Sequence, residues 1–442
     1  MKHRFLNRWT ISLFFIALLP RIFGLGQFLI SDEHTNIHLA GSAALQAFLR
    51  GDFRATYWHF YPGVTMSWLD ALGIGGLWLL ERFTGATSLS LSAFADSDIL
   101  HLLVAVRLPY ALLTALFVPV VYVLLRELLK DSSKQYAVSS KGEERRDKGQ
   151  RTKDEANLSP ADRNPSLAIR HSIHRSPFTI YHLPFILPLA AALLIAFDPF
   201  FLAHSRVVHG DAPVAVFMVL SALALFLHLR NGGWKMLAFS AINGALAALT
   251  KAPGQLIAIF VIVTVGGYWA LQSFNAKRLR LSKRRALDIL AWGGIALATF
   301  VLMWPSMWVD PIGTLAQMLN ETFGKVDAGH LVYFMDQPTL DPGPWFYPYI
   351  TAFRLTPVTA IGALFSIGVL VWQIQSSKFK VQNSKFKTRN KKPETGNQKL
   401  TALLWYFVLF LLAFGLLSPK KQDRYLLPVF PVLDILAAIG WY

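Results

Sequence analysis

Apolar stretches near bilayer-spanning length recur along the whole chain, at residues 11–28, 99–129, 183–203, 213–229, 234–249, 255–271, 286–303, 356–373, 400–417 and 426–442. A helix needs roughly 20 apolar residues to cross the hydrocarbon core, and runs of that kind satisfy their backbone N–H and C=O groups in lipid only as helices. Charged residues make up just 16% of the 442 positions, against about 25% in a soluble domain. These features predict an all-α polytopic membrane protein, one helix bundle over residues 1–442. Cysteine is absent, so thiolate chemistry, disulfides and cysteine metal sites are excluded.

The net charge of +17 raises nucleic acid as a partner, but that reading requires the basic residues on one folded face. Here they lie in tracts between apolar segments. With residues 1–9 in the cytoplasm and the spans alternating, the cytoplasmic segments are 1–9, 130–182, 230–235, 277–285 and 376–399, and they hold 30 of the 43 Lys and Arg. That bias follows the positive-inside rule and places a multi-pass protein in the cell membrane, with the lipid bilayer rather than nucleic acid as its partner. The alternation requires the apolar stretch 64–80 to lie along the membrane surface or re-enter. The basic start is kept as a permanent anchor, because FGLGQ offers no small-residue cleavage site. Residues 139–166 and 376–399 are charged and poor in large apolar residues, which predicts unstructured cytoplasmic loops within a basic insertion 130–182 and a basic loop 376–399.

The opposite face then collects the chemistry. A first outer loop at 30–98 carries ISDEHTNIH, LRGDF and WHFYPGVTMSWLDALG, and a second, HSRVVHGDAP, carries Arg206, His209 and Asp211. The third is the turn TKAPG with Lys251, the fourth a long aromatic loop at 304–354, and the fifth SPKKQDRYLLP with Lys420, Lys421, Arg424 and Tyr425. Carboxylates sit in loops one and two and cations in loops three and five. Charges at helix mouths are costly to take from water, so these residues either end helices at the interface or form a site. Bland readings stand beside the functional ones. Asp211, two residues before Pro213, suits a helix cap; Lys251 suits a snorkelling lysine; the aromatics of 303–308 and 342–350 suit interface anchors. The i, i+4 pair His34 and His38 leaves a divalent metal open, and no other cofactor is called for.

The order DExxxxH, then GDF, an aromatic before PG, a lone Asp in the second outer loop and KxxRYLLPxxP resembles the family 39-like glycosyltransferases. These are GT-C-fold membrane enzymes that include protein O-mannosyltransferases and aminoarabinose transferases. The resemblance runs from about residue 10 to the C-terminus apart from the two basic insertions; many relatives have His where Tyr61 stands. It implies a GT-C-type bundle with interfacial helices in the first outer loop, a polyprenyl-phosphate sugar as donor, and an acceptor met on the non-cytoplasmic face. It further implies Asp32 as the base, Glu33 as its neighbour or substitute, and Asp211 as a second carboxylate. Lys420, Lys421, Arg424 and Tyr425 would bind the donor phosphate, with Tyr61, Arg206, His209 and Lys251 lining the substrate. Such transfer needs a carboxylate for the acceptor proton and cations for the departing phosphate. The chain ends within the apolar run LDILAAIGWY, where the resemblance implies further helices, so a truncated C-terminus is expected. A secondary transporter or lipid flippase is the competing class. It would place ionisable residues near the bilayer midplane in broken, repeated helices.

This topology predicts that a cysteine introduced at Ser139 is shielded from an impermeant reagent in intact cells, whereas one at Ser418 is labelled. The reverse pattern would move every candidate residue to the cytoplasmic face.

Overall fold

A computed structural model describes residues 7–59, 62–156, 183–275, 283–327, 331–383, 396–417 and 420–442. The main helices, numbered in chain order, are α1 Arg8–Ile22, α2 Ser31–Asn36, α3 Ala44–Leu49, α4 Val64–Thr84, α5 Ile99–Ala156, α6 Leu183–Phe197, α7 Pro199–His204 and α8 Asp211–Asn231. They continue with α9 Trp234–Thr250, α10 Leu256–Asn275, α11 Lys283–Met303, α12 Pro311–Asp327, α13 Phe346–Arg354, α14 Pro357–Asn383, α15 Gly396–Leu417 and α16 Val429–Trp441. The described strands, β1 Val332–Phe334 and β2 Gln337–Thr339, pair antiparallel as a hairpin turning through Met335 and Asp336.

The chain is an all-α polytopic membrane protein, although fewer of its helices span outright than the ten apolar stretches suggest. Among the described residues, five segments are long and apolar enough to cross: Ile99–Lys130, Asp211–Asn231, Ala252–Leu271, Lys283–Met303 and Lys399–Leu417. A sixth follows if Phe346–Arg354 and Pro357–Trp372, bent by 117°, form one broken span. The stretch 183–203 divides because Asp198 ends α6 and caps α7, accepting a hydrogen bond from the Phe201 amide at 2.6 Å, with Pro199 in the first helical position. α4 is not among the segments long and apolar enough to cross.

The basic insertion departs from expectation: α5 continues through residue 156, so 139–156 is helical rather than loop. Its Lys, Glu, Arg and Gln are good helix formers, and a helix already nucleated in the span propagates into them cheaply. Residues 157–166 lie outside the described residues. In the second basic segment α14 reaches Asn383 and α15 begins at Gly396, and 384–395 are likewise outside.

α8 forms the centre, apolar all round and buried along nearly its whole length, as such a helix must be. It packs on α9, α5 and α10, while α14 and α16 pack tightly together. A Cβ on Gly440 would stand 1.9 Å from the Gly362 carbonyl oxygen, so only glycine admits that approach. Gly63, whose φ of +64° opens α4, is similarly confined, since a Cβ there would meet the Trp58 ring at 2.2 Å.

The segment between α1 and α4 is fastened to the bundle through Glu33. Its carboxylate is buried and accepts from Arg107 Nε at 2.8 Å and Nη2 at 2.5 Å, from the Val208 amide at 2.8 Å and from the Ile30 amide at 3.0 Å. Arg107, arising from the apolar face of α5, also donates to the Leu25 and Phe28 carbonyls. Asn36 adds a bond to the Val208 carbonyl at 2.9 Å. Removing one member of such a buried pair strands the other charge and costs about 3–5 kcal/mol. Glu33→Gln is therefore expected to lower the thermal midpoint of the detergent-solubilised protein by several degrees and Arg107→Ala to lower it further. Unchanged midpoints in both variants would contradict a fastening role.

Candidate active site

Four interhelical segments meet at one end of the bundle, where two carboxylates and two cations form a continuous ionic cluster. Asp32, on the first turn of α2, contacts Arg424 Nη1 at 2.9 Å and His209 Nε2 at 3.3 Å. Asp211, the first residue of α8, contacts Lys251 Nζ at 2.6 Å, His209 Nδ1 at 2.5 Å and Arg424 Nε at 3.5 Å. Lys251 Nζ also lies over the Tyr425 ring, 4.9 Å from its centroid.

Local structure explains each position. Adjacent helical residues point in different directions, so when Glu33 turns inward to Arg107, Asp32 is left at the surface, its side chain 41% exposed. Asp211 is not a cap: Gly210 precedes the helix, no side-chain cap bond forms there, and the buried carboxylate is used by Lys251, His209 and Arg424. α8 and α9 run antiparallel, so the turn after α9 returns to the start of α8. Lys251 there adopts an extended backbone, with φ of −159° and ψ of 152°, and points into the cluster rather than snorkelling away. Thr65 ties α4 to this turn through a 2.7 Å bond to Thr250 Oγ1. Arg424 belongs to the short 3-10 turn Asp423–Leu426 and is steadied by Gln422, whose side-chain oxygen accepts from Arg424 Nε at 3.1 Å.

The environment sets the charge states. His209, then Arg424, hold the Asp32 carboxyl well below the usual carboxylate range against its partial burial. Burial lowers the ammonium of Lys251 despite the opposing pull of Asp211. For Arg424 burial is outweighed by Asp211 and Asp32, and its guanidinium is held more firmly charged. Burial raises the Tyr425 phenol to about 12, so it stays a protonated donor.

The other expected residues divide. Lys421 is buried but faces away, its Nζ 2.9 Å from Asp341 Oδ1. Lys420 is partly buried in the same stretch. Arg206 donates to the Phe23 carbonyl and joins the second loop to the end of α1. Glu33 is used by Arg107 and the Val208 amide. Tyr61 lies outside the described residues. His34 and His38 are exposed, and among the described residues no group of three or more His, Asp or Glu side chains has metal-ligand geometry. Sequence reasoning missed Arg107, although a lone Arg inside the apolar run AVRLPY was a signal for a buried partner. It also missed the fourth loop's grip on the first. Tyr57 stacks on buried Trp304 at 5.9 Å and donates to Glu321 at 2.9 Å, and Trp68 donates to the Met303 carbonyl at 2.8 Å.

Neither a curated protein nor a solved structure matches the chain. The model of the family described as dolichyl-phosphate-mannose-protein mannosyltransferase matches residues 178–309. That segment contains His209, Asp211 and Lys251, and it does not favour the transporter reading. The match covers under a third of the chain and, with the bundle of apolar helices already described, supports its similarity to the family 39-like membrane glycosyltransferases of the GT-C type.

Proposed function

We propose that the chain transfers a sugar from a polyprenyl-phosphate-linked donor to a hydroxyl-bearing acceptor on the non-cytoplasmic side of the cell membrane. The observation that carries this reading is the meeting of Asp32, Asp211, Lys251 and Arg424 from four separate loops, with a partly exposed carboxylate over a buried one. Burying charge at the end of a bundle is costly, and a cluster this elaborate is a functional candidate rather than a surface ornament.

In the proposed reaction the acceptor oxygen attacks the anomeric carbon, the carbon–oxygen bond to the phosphate breaks, and its electron pair leaves with the polyprenyl phosphate. Asp32, the accessible carboxylate, takes the acceptor proton and faces the positive charge that develops at the anomeric carbon. Arg424 presents its planar guanidinium to the donor phosphate and Lys420 supplies a point charge; charge-assisted contacts of this kind are short and strong. The Tyr425 hydroxyl adds a donor. Asp211, shielded by Lys251, works from beneath by orienting Arg424, and Glu33 by fixing α2. Arg206 and Tyr61 remain proposed substrate-lining residues on the family resemblance alone, and Lys421, engaged by Asp341, secures the stretch that carries Arg424. The description of the matching family names dolichyl-phosphate mannose and protein, which makes that donor and a serine-containing peptide the first pair to assay.

Asp32→Asn keeps the shape of the side chain and removes its charge. Turnover is expected to fall at least about 100-fold, the lower end of general acid–base contributions, with donor affinity little changed. Near-normal transfer by this variant would contradict the mechanism. Arg424→Gln is expected to weaken binding of the polyprenyl phosphate about tenfold or more, the loss of one charge-assisted contact worth about 1.5–3 kcal/mol. An unchanged affinity would leave Arg424 as a partner of Asp32 only.

A further inference from the structure

Helix α13 has two unlike faces. Trp345 at its N-cap, Tyr349 and Phe353 follow one another at i, i+4 and i+8, so they share one stripe of the helix. They stand 74%, 38% and 70% exposed, and the rings of Tyr349 and Phe353 lie 4.3 Å apart. Phe346 and Tyr347 point the other way and are buried, with Ile350 packed beside them against the main core. The helix therefore has its buried face already, and the aromatic stripe is a second apolar face turned outward.

The next helix indicates what covers that stripe. α13 and the first part of α14 are together long and apolar enough for a span, but they are bent by 117°. With α14 running through the bilayer, such a bend lays α13 nearer the membrane plane than the membrane normal. α14 turns Val358, Ile361, Leu364 and Phe365 outward, an apolar face that belongs in lipid, and only Leu355 and Thr356 separate it from α13. Aromatic side chains concentrate at headgroup level, where an amphipathic helix lies with its apolar face sunk roughly 5–10 Å. Arg354 ends α13 with its side chain half exposed, a cation placed where headgroups would meet it.

We propose that α13 is an interfacial foot whose partner is the lipid of the leaflet on the side of the ionic cluster, and that this foot sets the height of Arg424 relative to the bilayer. The connection is short. Arg354 Nη2 donates to Asp423 Oδ2 at 2.7 Å, and Asp423 Oδ1 accepts from the Arg424 amide at 2.8 Å. α13 also packs on the turn Asp423–Leu426. A lipid-linked donor carries its phosphate at headgroup level, so a helix fixed there brings Arg424 to the phosphate. The setting of Arg424 rests on the glycosyl-transfer reading above, whereas the lipid contact does not.

The chain has no cysteine, so Phe353→Cys accepts a single nitroxide label, and the labelled protein is placed in nanodiscs of phosphatidylcholine and phosphatidylglycerol. Collisions of the label with dissolved oxygen are expected to exceed those with a water-soluble nickel chelate, at a depth shallower than that of a label on Leu364→Cys. Dominant nickel collisions would reveal an aqueous face, suppression of both would reveal a covering protein surface, and a depth at or below that of Leu364 would reveal an ordinary spanning segment; each overturns the foot. Trp345→Glu combined with Phe353→Glu is expected to weaken binding of a polyprenyl phosphate several-fold, while Trp345→Tyr combined with Phe353→Trp, which keeps interfacial side chains, binds it as the wild type does. Should the Glu pair not fold, Phe353→Ser is read in the same way. Equal affinities in the polar and aromatic variants, with the label in lipid, overturn the link to Arg424. If Asp32→Asn is active, the transfer mechanism fails while the measured depth of α13 stands.

Discussion

The site depends on the buried ion pair between Glu33 and Arg107. Its energy matters less than its geometry, since a buried pair often only offsets its own desolvation. Glu33 accepts from Arg107, from the Ile30 amide at the start of α2 and from the Val208 amide in the segment before α8. One carboxylate thereby fixes α5, α2 and the segment leading to His209 and Asp211 relative to one another. Once Glu33 is committed inward, the helix leaves Asp32 facing outward and over Asp211. The adjacent acidic pair thus has a division of labour imposed by helical geometry.

The two remaining carboxylates differ in the same physical sense. Asp211 is enclosed by Lys251, His209 and Arg424, an arrangement suited to holding a fixed negative charge. Asp32 shares Arg424 and His209 but keeps access to solvent, as a group that meets substrate must. Arg424 bridges both and is the most firmly charged cation of the cluster, so it can exchange part of its contact with Asp32 for a phosphate without being left unpaired.

Much of this was legible in the sequence because membrane topology is written in one dimension. The Lys and Arg bias put loops one, two, three and five on one face, and the structure joins Asp32, Asp211, Lys251 and Arg424 there. What was not legible required distances between elements. Arg107 lies within an apolar run, and nothing along the chain pairs it with Glu33. Lys421 and Arg424 are three residues apart, yet the 3-10 turn sends one to Asp341 and the other to the cluster. Asp211 has the composition of a cap, and only its neighbours show that the carboxylate is used otherwise. The helical continuation through residues 139–156 was hidden because composition reports the lack of apolar burial but not the propagation of an existing helix.

The central claim is that this four-loop cluster receives the donor's phosphate and anomeric carbon. A structure of the protein bound to a non-transferable polyprenyl-phosphate sugar analogue tests it most directly. The account predicts the phosphate in contact with Arg424, the anomeric carbon facing Asp32, and the Glu33–Arg107 pair unchanged. A phosphate held at the opposite end of the bundle, or in the groove of about 530 Å³ bordered by Asp198, Thr359 and Trp441, with the cluster empty, would contradict it.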